Sequence, residues 1–163
     1  MQDVFCCIER VPLQRRLERL RKAYNNYKET KIRTASQTGL IVMLYDEVVR
    51  CIDQTIELIE KKPSENREVN IKNIKKINDL INKAQDILGE LMSSLDFQHG
   101  GELSKNLFSL YRFFSEKLTE ANLTKEVGDL PGVRKLIVSM REAWAVVEAN
   151  KPDPERGEVN IAG

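Results

Sequence analysis

Residues 65–95 read ENREVNIKNIKKINDLINKAQDILGELMSSL. Within this stretch Ile74, Ile77, Ile81, Ala84, Leu88, Leu91 and Leu95 alternate steps of three and four without a break. That spacing is a heptad-like seam, the pattern of a helix packed lengthwise against neighbours. A helix of this length spans about 45 Å. Its natural partner is the equally long run before it, joined through the short Pro63-Ser64 turn.

Working outward, the preceding helix is predicted to start at Thr34. Thr34 and Gln37 have the spacing of a capping box, in which the hydroxyl takes the Gln37 N–H and the Gln37 side chain reaches back. Ile41, Leu44, Val48, Cys51, Thr55 and Leu58 then recur at helical steps, widened by Ile52, Ile56 and Ile59. Asp46 with Arg50 and Glu57 with Lys61 are i, i+4 pairs on the wet side. Gly39, in the second turn, costs up to about 1 kcal/mol relative to Ala and signals close packing or local loosening.

On the other side, Gly100-Gly101 breaks the chain. A third helix carries Leu103, Leu107, Leu110, Tyr111, Phe114 and Leu118, and residues 128–132 break it again. Asp129 and Thr124 compete as the cap of the last helix, which places Val133, Ile137, Met140, Trp144 and Val147 on one line. No run alternates with period two for long enough to be a strand. The expected fold is all-α, an antiparallel four-helix bundle with an N-terminal helical or extended cap segment. One hairpin is longer than the other, so part of it projects or is covered by the segment before Thr34. The expected division is a basic extension over 1–22, a bundle domain over 23–149 and a disordered tail over 150–163.

Bulk composition narrows the function classes. The 163 residues suit one domain. With 26 basic and 25 acidic residues, the chain has no large electrostatic footprint for nucleic acid or an anionic membrane. Cys6, Cys7 and Cys51 are odd in number and lack CxxC spacing, the pattern of a reducing compartment, with Cys51 a small apolar packer. No stretch approaches 18 apolar residues, and residues 1–11 lack a signal-type apolar run. A cytoplasmic protein without membrane insertion is expected.

Chemistry-bearing patterns are absent. His99 is the single histidine, and Asp96 and Ser94 beside it in a short loop do not make a triad or zinc site; a loop-capping or exposed role is expected. Ser93-Ser94 reads as a helix end, and Glu18, Asp46 and Asp53 as solvated faces. No phosphate loop, HExxH or EF-hand pattern occurs. The chain is therefore expected to be no enzyme and to hold neither metal nor cofactor.

What remains is surface. Val42, Met43, Val49, Leu80, Ile87, Phe108 and Phe113 lie off the main stripes. Wide packed faces account for them, and so does a groove for a partner helix. The arm from Arg10 to Lys22 places Leu13, Leu17 and Leu20 on one side among arginines. It fits a packed flanking helix, or an adaptor arm for RNA or a membrane surface.

Several segments, taken in order, resemble one family. They are residues 23–36 (AYNNYKETKIRTAS), Leu40 to Asp46, the turn from Leu95-Asp96 to Gly100-Gly101-Glu102, Asn106-Leu107 with Leu110-Tyr111, Leu118 with Ala121-Asn122, and Arg141-Glu142-Ala143-Trp144. Together they look like the flagellin-specific export chaperones, the FliS family. The resemblance implies a four-helix bundle that binds the C-terminal region of flagellin in the cytoplasm, prevents premature polymerisation and assists export. It further implies the export apparatus as a second partner and a homodimer when client is absent. The family's N-terminal Tyr-rich element falls here on Tyr24, Tyr27 and Ile32. Apolar area toward the outer side of the first helix, from Met43 with Val42 and Leu40, points to a partner surface there, and Leu40, Met43, Leu44, Tyr45 and Val48 are expected as further partner-binding residues. Residues 1–22 precede the usual start of such proteins, so the resemblance assigns the basic arm no role.

Overall fold

The computed structural model describes residues 36–150. The basic arm, Thr34, Tyr24, Tyr27, Ile32 and the tail from 151 lie outside the described residues. Within them, four helices follow one another: α1 Gln37–Glu60, α2 Arg67–Ser93, α3 Gly101–Thr124 and α4 Leu130–Ala149. No helix among the described residues is long and apolar enough to cross a membrane.

Each boundary has a local cause. The cap of α1 is Ser36, two residues later than predicted, with its Oγ accepting from Gly39 N at 3.1 Å. Glu148, from the last turn of α4, takes hydrogen bonds from both Ser36 and Thr38. Its carboxylate thus sits at the positive end of α1, which favours an acid. Asn66 caps α2 through Glu68 N at 2.9 Å, and Asn70 braces the link by bonding Ser64 on both sides of its amide. In the α2–α3 turn the Asp96 carboxylate accepts from the backbone of Gln98 and His99, and Gly101 takes φ +49 at the start of α3. Lys125 ends α3 in a left-handed conformation, φ 57, with its ammonium on Asn122 and on Asn78 of α2. Thr124 therefore closes α3 and does not open α4. Asp129 occupies the cap position of α4 but makes no side-chain cap; its carboxylate goes instead to Lys117 at 2.7 Å.

The core follows the predicted stripes. Ile41, Leu44, Tyr45, Val48, Cys51 and Ile52 of α1 meet Ile77, Ile81, Ala84, Ile87, Leu88 and Leu91 of α2, then Leu107, Tyr111, Phe114 and Leu118 of α3 and Val133, Ile137 and Trp144 of α4. Burial pushes the Cys51 thiol up to about 11, in keeping with a packing role. Ile74 departs from the expected seam and is 47 % exposed, as are its neighbours Val69 and Ile71 to similar degrees. The reason is length: α3 ends opposite Asn78, so the first three turns of α2 run past it. Among the described residues this end of the long hairpin extends past α3; the segment before Thr34, its expected cover, lies outside them.

Polar bonds set the register between helices. Arg141 pairs with Asp46 at 2.9 Å and Arg134 pairs with Asp53, one heptad apart on both helices. Asp46 and Asp53 are thus interhelical partners and not free solvated acids. Arg50, expected on Asp46, turns instead to Glu47. Glu47 is buried on the α2 side of α1 and also holds Lys83 at 2.8 Å. Gln85 of α2 donates to Ser115 and Thr119 of α3.

Candidate functional site

The helices are not equally engaged. α1 packs closely on α4 and on α2, and α2 packs on α3, while α3 and α4 barely touch. Along that loose seam lies an apolar groove with a cavity of about 190 Å³, lined by Leu103 and Leu107 from α3 and by Met140, Ala143, Trp144 and Val147 from α4. An engineered apolar cavity of about 150 Å³ takes up benzene, so this one has room for one or two large aliphatic side chains.

Helical periodicity extends the groove beyond the cavity. Leu110 and Phe113 continue the α3 wall, and Leu136 continues the α4 wall. Phe113 and Leu136 are 39 % and 45 % exposed, so the groove's lips are apolar as well as its floor. From Leu136 to Val147 the wall is about 16 Å long, roughly three turns of a helix. One end is closed by Lys117, which bridges to Asp129 and Glu120; these carboxylates raise its pKa to about 12 and keep it charged.

Beneath the groove sits a buried hydroxyl pair. Tyr45 Oη and Tyr111 Oη are 2.5 Å apart across the bundle diagonal. Burial pushes the Tyr111 phenol up to about 12 and raises that of Tyr45 further, so both stay neutral.

The residues expected at the partner surface fall into three groups. Tyr24, Tyr27 and Ile32 lie outside the described residues. Leu44, Tyr45 and Val48 are core residues, and Leu40 is buried as well, because their side of α1 faces into the molecule; in this structure they present no surface. Met43 is half-buried, one turn from Glu47 on the α2 side of α1. Ile87 is fully buried, Val42, Val49 and Leu80 pack partly on the core, and Phe108 and Phe113 are exposed. Of the cavity residues, Leu103, Leu107, Met140, Trp144 and Val147 stand on the stripes expected to be core, and Ala143 does not. A signal for them was present: Leu136, Met140, Ala143 and Val147 form a second apolar row beside the Val133, Ile137 and Trp144 line.

His99 is an exposed loop residue whose ring bonds Asp96 at 2.8 Å, and that bond, with the backbone N–H groups, lowers the Asp96 pKa. Among the described residues no group of three or more His, Cys, Asp or Glu is placed to hold a metal.

Comparison with known proteins agrees with the fold and adds the family. The family model for flagellar protein FliS matches residues 20–151. The flagellar secretion chaperone FliS of Bacillus subtilis is 25% identical over 143 residues, covering 88% of this chain and 98% of that protein. The protein of the same name from Escherichia coli is 28% identical over 117 residues, covering 71% and 79%. A solved bacterial flagellar chaperone superposes with a TM-score of 0.60 at 19% identity, over 77% of this chain and 94% of that one, which shows the shared fold. The chain therefore belongs to the flagellar protein FliS family, a family of secretion chaperones and not of enzymes.

Proposed function

We propose that this protein binds the C-terminal region of flagellin in the cytoplasm, keeps it from polymerising early and presents it to the export apparatus, with the α3/α4 groove holding an amphipathic segment of the client. The observation that carries this is the groove itself: an apolar trough with apolar lips, between two helices that barely touch. A client helix with apolar residues at i, i+3, i+4 and i+7 would complete the seam as a fifth helix. Binding then couples to ordering of the client, so part of the contact energy offsets lost chain entropy. Met43, with Tyr24, Tyr27 and Ile32, belongs to this proposal as a second contact on the long hairpin. In the client-free protein the same apolar surface suits a second copy, so a weak homodimer dissolved by client is part of the same picture.

The experiment titrates a peptide from the flagellin C-terminus. Trp144, the single tryptophan, lines the groove and reports occupancy by its emission, with calorimetry alongside. Ala143 is exposed on the groove wall, so Ala143→Glu is tolerated by the fold yet sets a carboxylate against apolar client side chains. Burying one large aliphatic anchor contributes about 1.5–3 kcal/mol, so the variant is expected to bind more than tenfold more weakly with unchanged melting. Met43→Glu tests the second contact in the same titration. Parent-like affinity in Ala143→Glu would remove the groove from the client path.

A further inference from the structure

We propose that the buried Tyr45–Tyr111 hydroxyl pair is the spacer that holds the α3/α4 groove open. The inference rests on the reading that this groove receives the client. It begins with how the two groove walls are anchored. α4 is tied to α1 by Arg134–Asp53, Arg141–Asp46 and the bonds from Ser36 and Thr38 to Glu148. α3 is tied to α2 by Gln85 on Ser115 and Thr119 and by Lys125 on Asn78. Toward α4, Lys117 of α3 bonds Asp129, the residue at the α4 cap, at one end of the groove. α3 is thus placed by its packing on α2, and across the bundle its buried polar contact with α1 is the Tyr45–Tyr111 hydroxyl pair.

That contact is made by two phenols meeting head to head. Tyr45 is 0 % and Tyr111 2 % exposed, their oxygens are 2.5 Å apart, and their ring centroids are 6.4 Å apart with planes tilted by 40°. Two long side chains bonded end to end hold their helices farther apart than two aliphatic ones would. They also resist sliding, because a buried hydroxyl that loses its partner is left unsatisfied. In a four-helix arrangement, a long α1–α3 diagonal moves α3 away from α4, which packs on α1. Tyr111 lies one turn from Leu107, which lines the groove, and Tyr45 shares the core cluster with Trp144 of the other wall. The α3 wall thus meets at this pair the helix, α1, on which the α4 wall is packed. Tyr45 and Tyr111 are positioning residues: neither lines the cavity.

Phenylalanine substitutions separate positioning from stability. Each single change, Tyr45→Phe or Tyr111→Phe, strands one hydroxyl and is expected to lower the melting temperature. The double variant strands neither partner of the pair, and replacing both partners of a buried bond is close to neutral. It is expected to regain most of the melting temperature yet bind the flagellin C-terminal peptide at least fivefold more weakly than the parent. Affinity that recovers together with stability overturns the spacer. Ala143→Glu in the same titration separates the two claims: weak binding there with parent-like binding in the double variant sinks only the spacer, and parent-like binding in both sinks the groove. If the double variant melts too early to titrate, Tyr111→Phe decides alone, because a folded Tyr111→Phe protein with parent-like affinity also overturns the proposal.

Discussion

Replacing Glu47 by glutamine tests whether the one acid buried in the α1–α2 seam stabilises the bundle through its charge. The Glu47 carboxylate is 5 % exposed and is held by Lys83, itself 29 % exposed, and by the half-exposed Arg50. Burial alone would raise its pKa; hydrogen bonds from Arg50 and Lys83 outweigh that and hold it below the ordinary carboxylate value. A hydrogen bond to a charged partner contributes about 1.5–3 kcal/mol, an exposed pair such as Arg50's adds at most about 1 kcal/mol, and desolvation of the carboxylate offsets part of both. Because glutamine keeps the shape and one acceptor, Glu47→Gln is expected to lose about 1–2 kcal/mol at pH 7. The sign of the pH effect follows from the depressed pKa. The stabilisation is fully present above the unfolded carboxylate value of about 4.3 and is lost as pH falls through the lower folded value. Urea unfolding followed by circular dichroism, for parent and variant from pH 7 down to pH 3, measures the difference. With m of about 2 kcal/mol/M, the midpoints separate by roughly 0.5–1 M at pH 7 and converge in acid. A gap of equal size at pH 3 would show that shape and not charge is responsible, and no gap at pH 7 would refute the reasoning outright.

Two further substitutions bracket the core and the surface. Trp144→Ala removes a side chain that is 7 % exposed and forms the groove floor, and is expected to destabilise by about 3–5 kcal/mol; an unfolding midpoint equal to the parent's would contradict its placement. His99→Ala removes an exposed loop contact to Asp96 and is expected to shift stability by less than about 1 kcal/mol, with flagellin-peptide affinity unchanged by calorimetry; a tenfold loss of affinity would bring the α2–α3 turn into the client site.

Among the described residues, the number and order of the helices and most of the core were legible in the chain. Apolar residues at three- and four-residue steps leave a helix one face to bury, and Pro63, Gly100-Gly101 and residues 128–132 leave few places to turn. The ordered segments from residue 23 to Trp144 also carried the family. Pairing of charges was not legible. Asp46 has Arg50 one turn away in the sequence, yet α4 brings Arg141 to it, and Arg50 then turns to Glu47. Nor does periodicity say whether a seam is filled. Leu103, Leu107, Met140 and Val147 have core spacing, and only the separation of α3 from α4 leaves them lining a groove. Ile74 shows the converse: its place in the heptad is sound, but α3 ends before reaching it. Spacing along one helix determines which residues share a face. What that face meets depends on the lengths, ties and diagonal contacts of the other three helices, and those exist only once the bundle has formed.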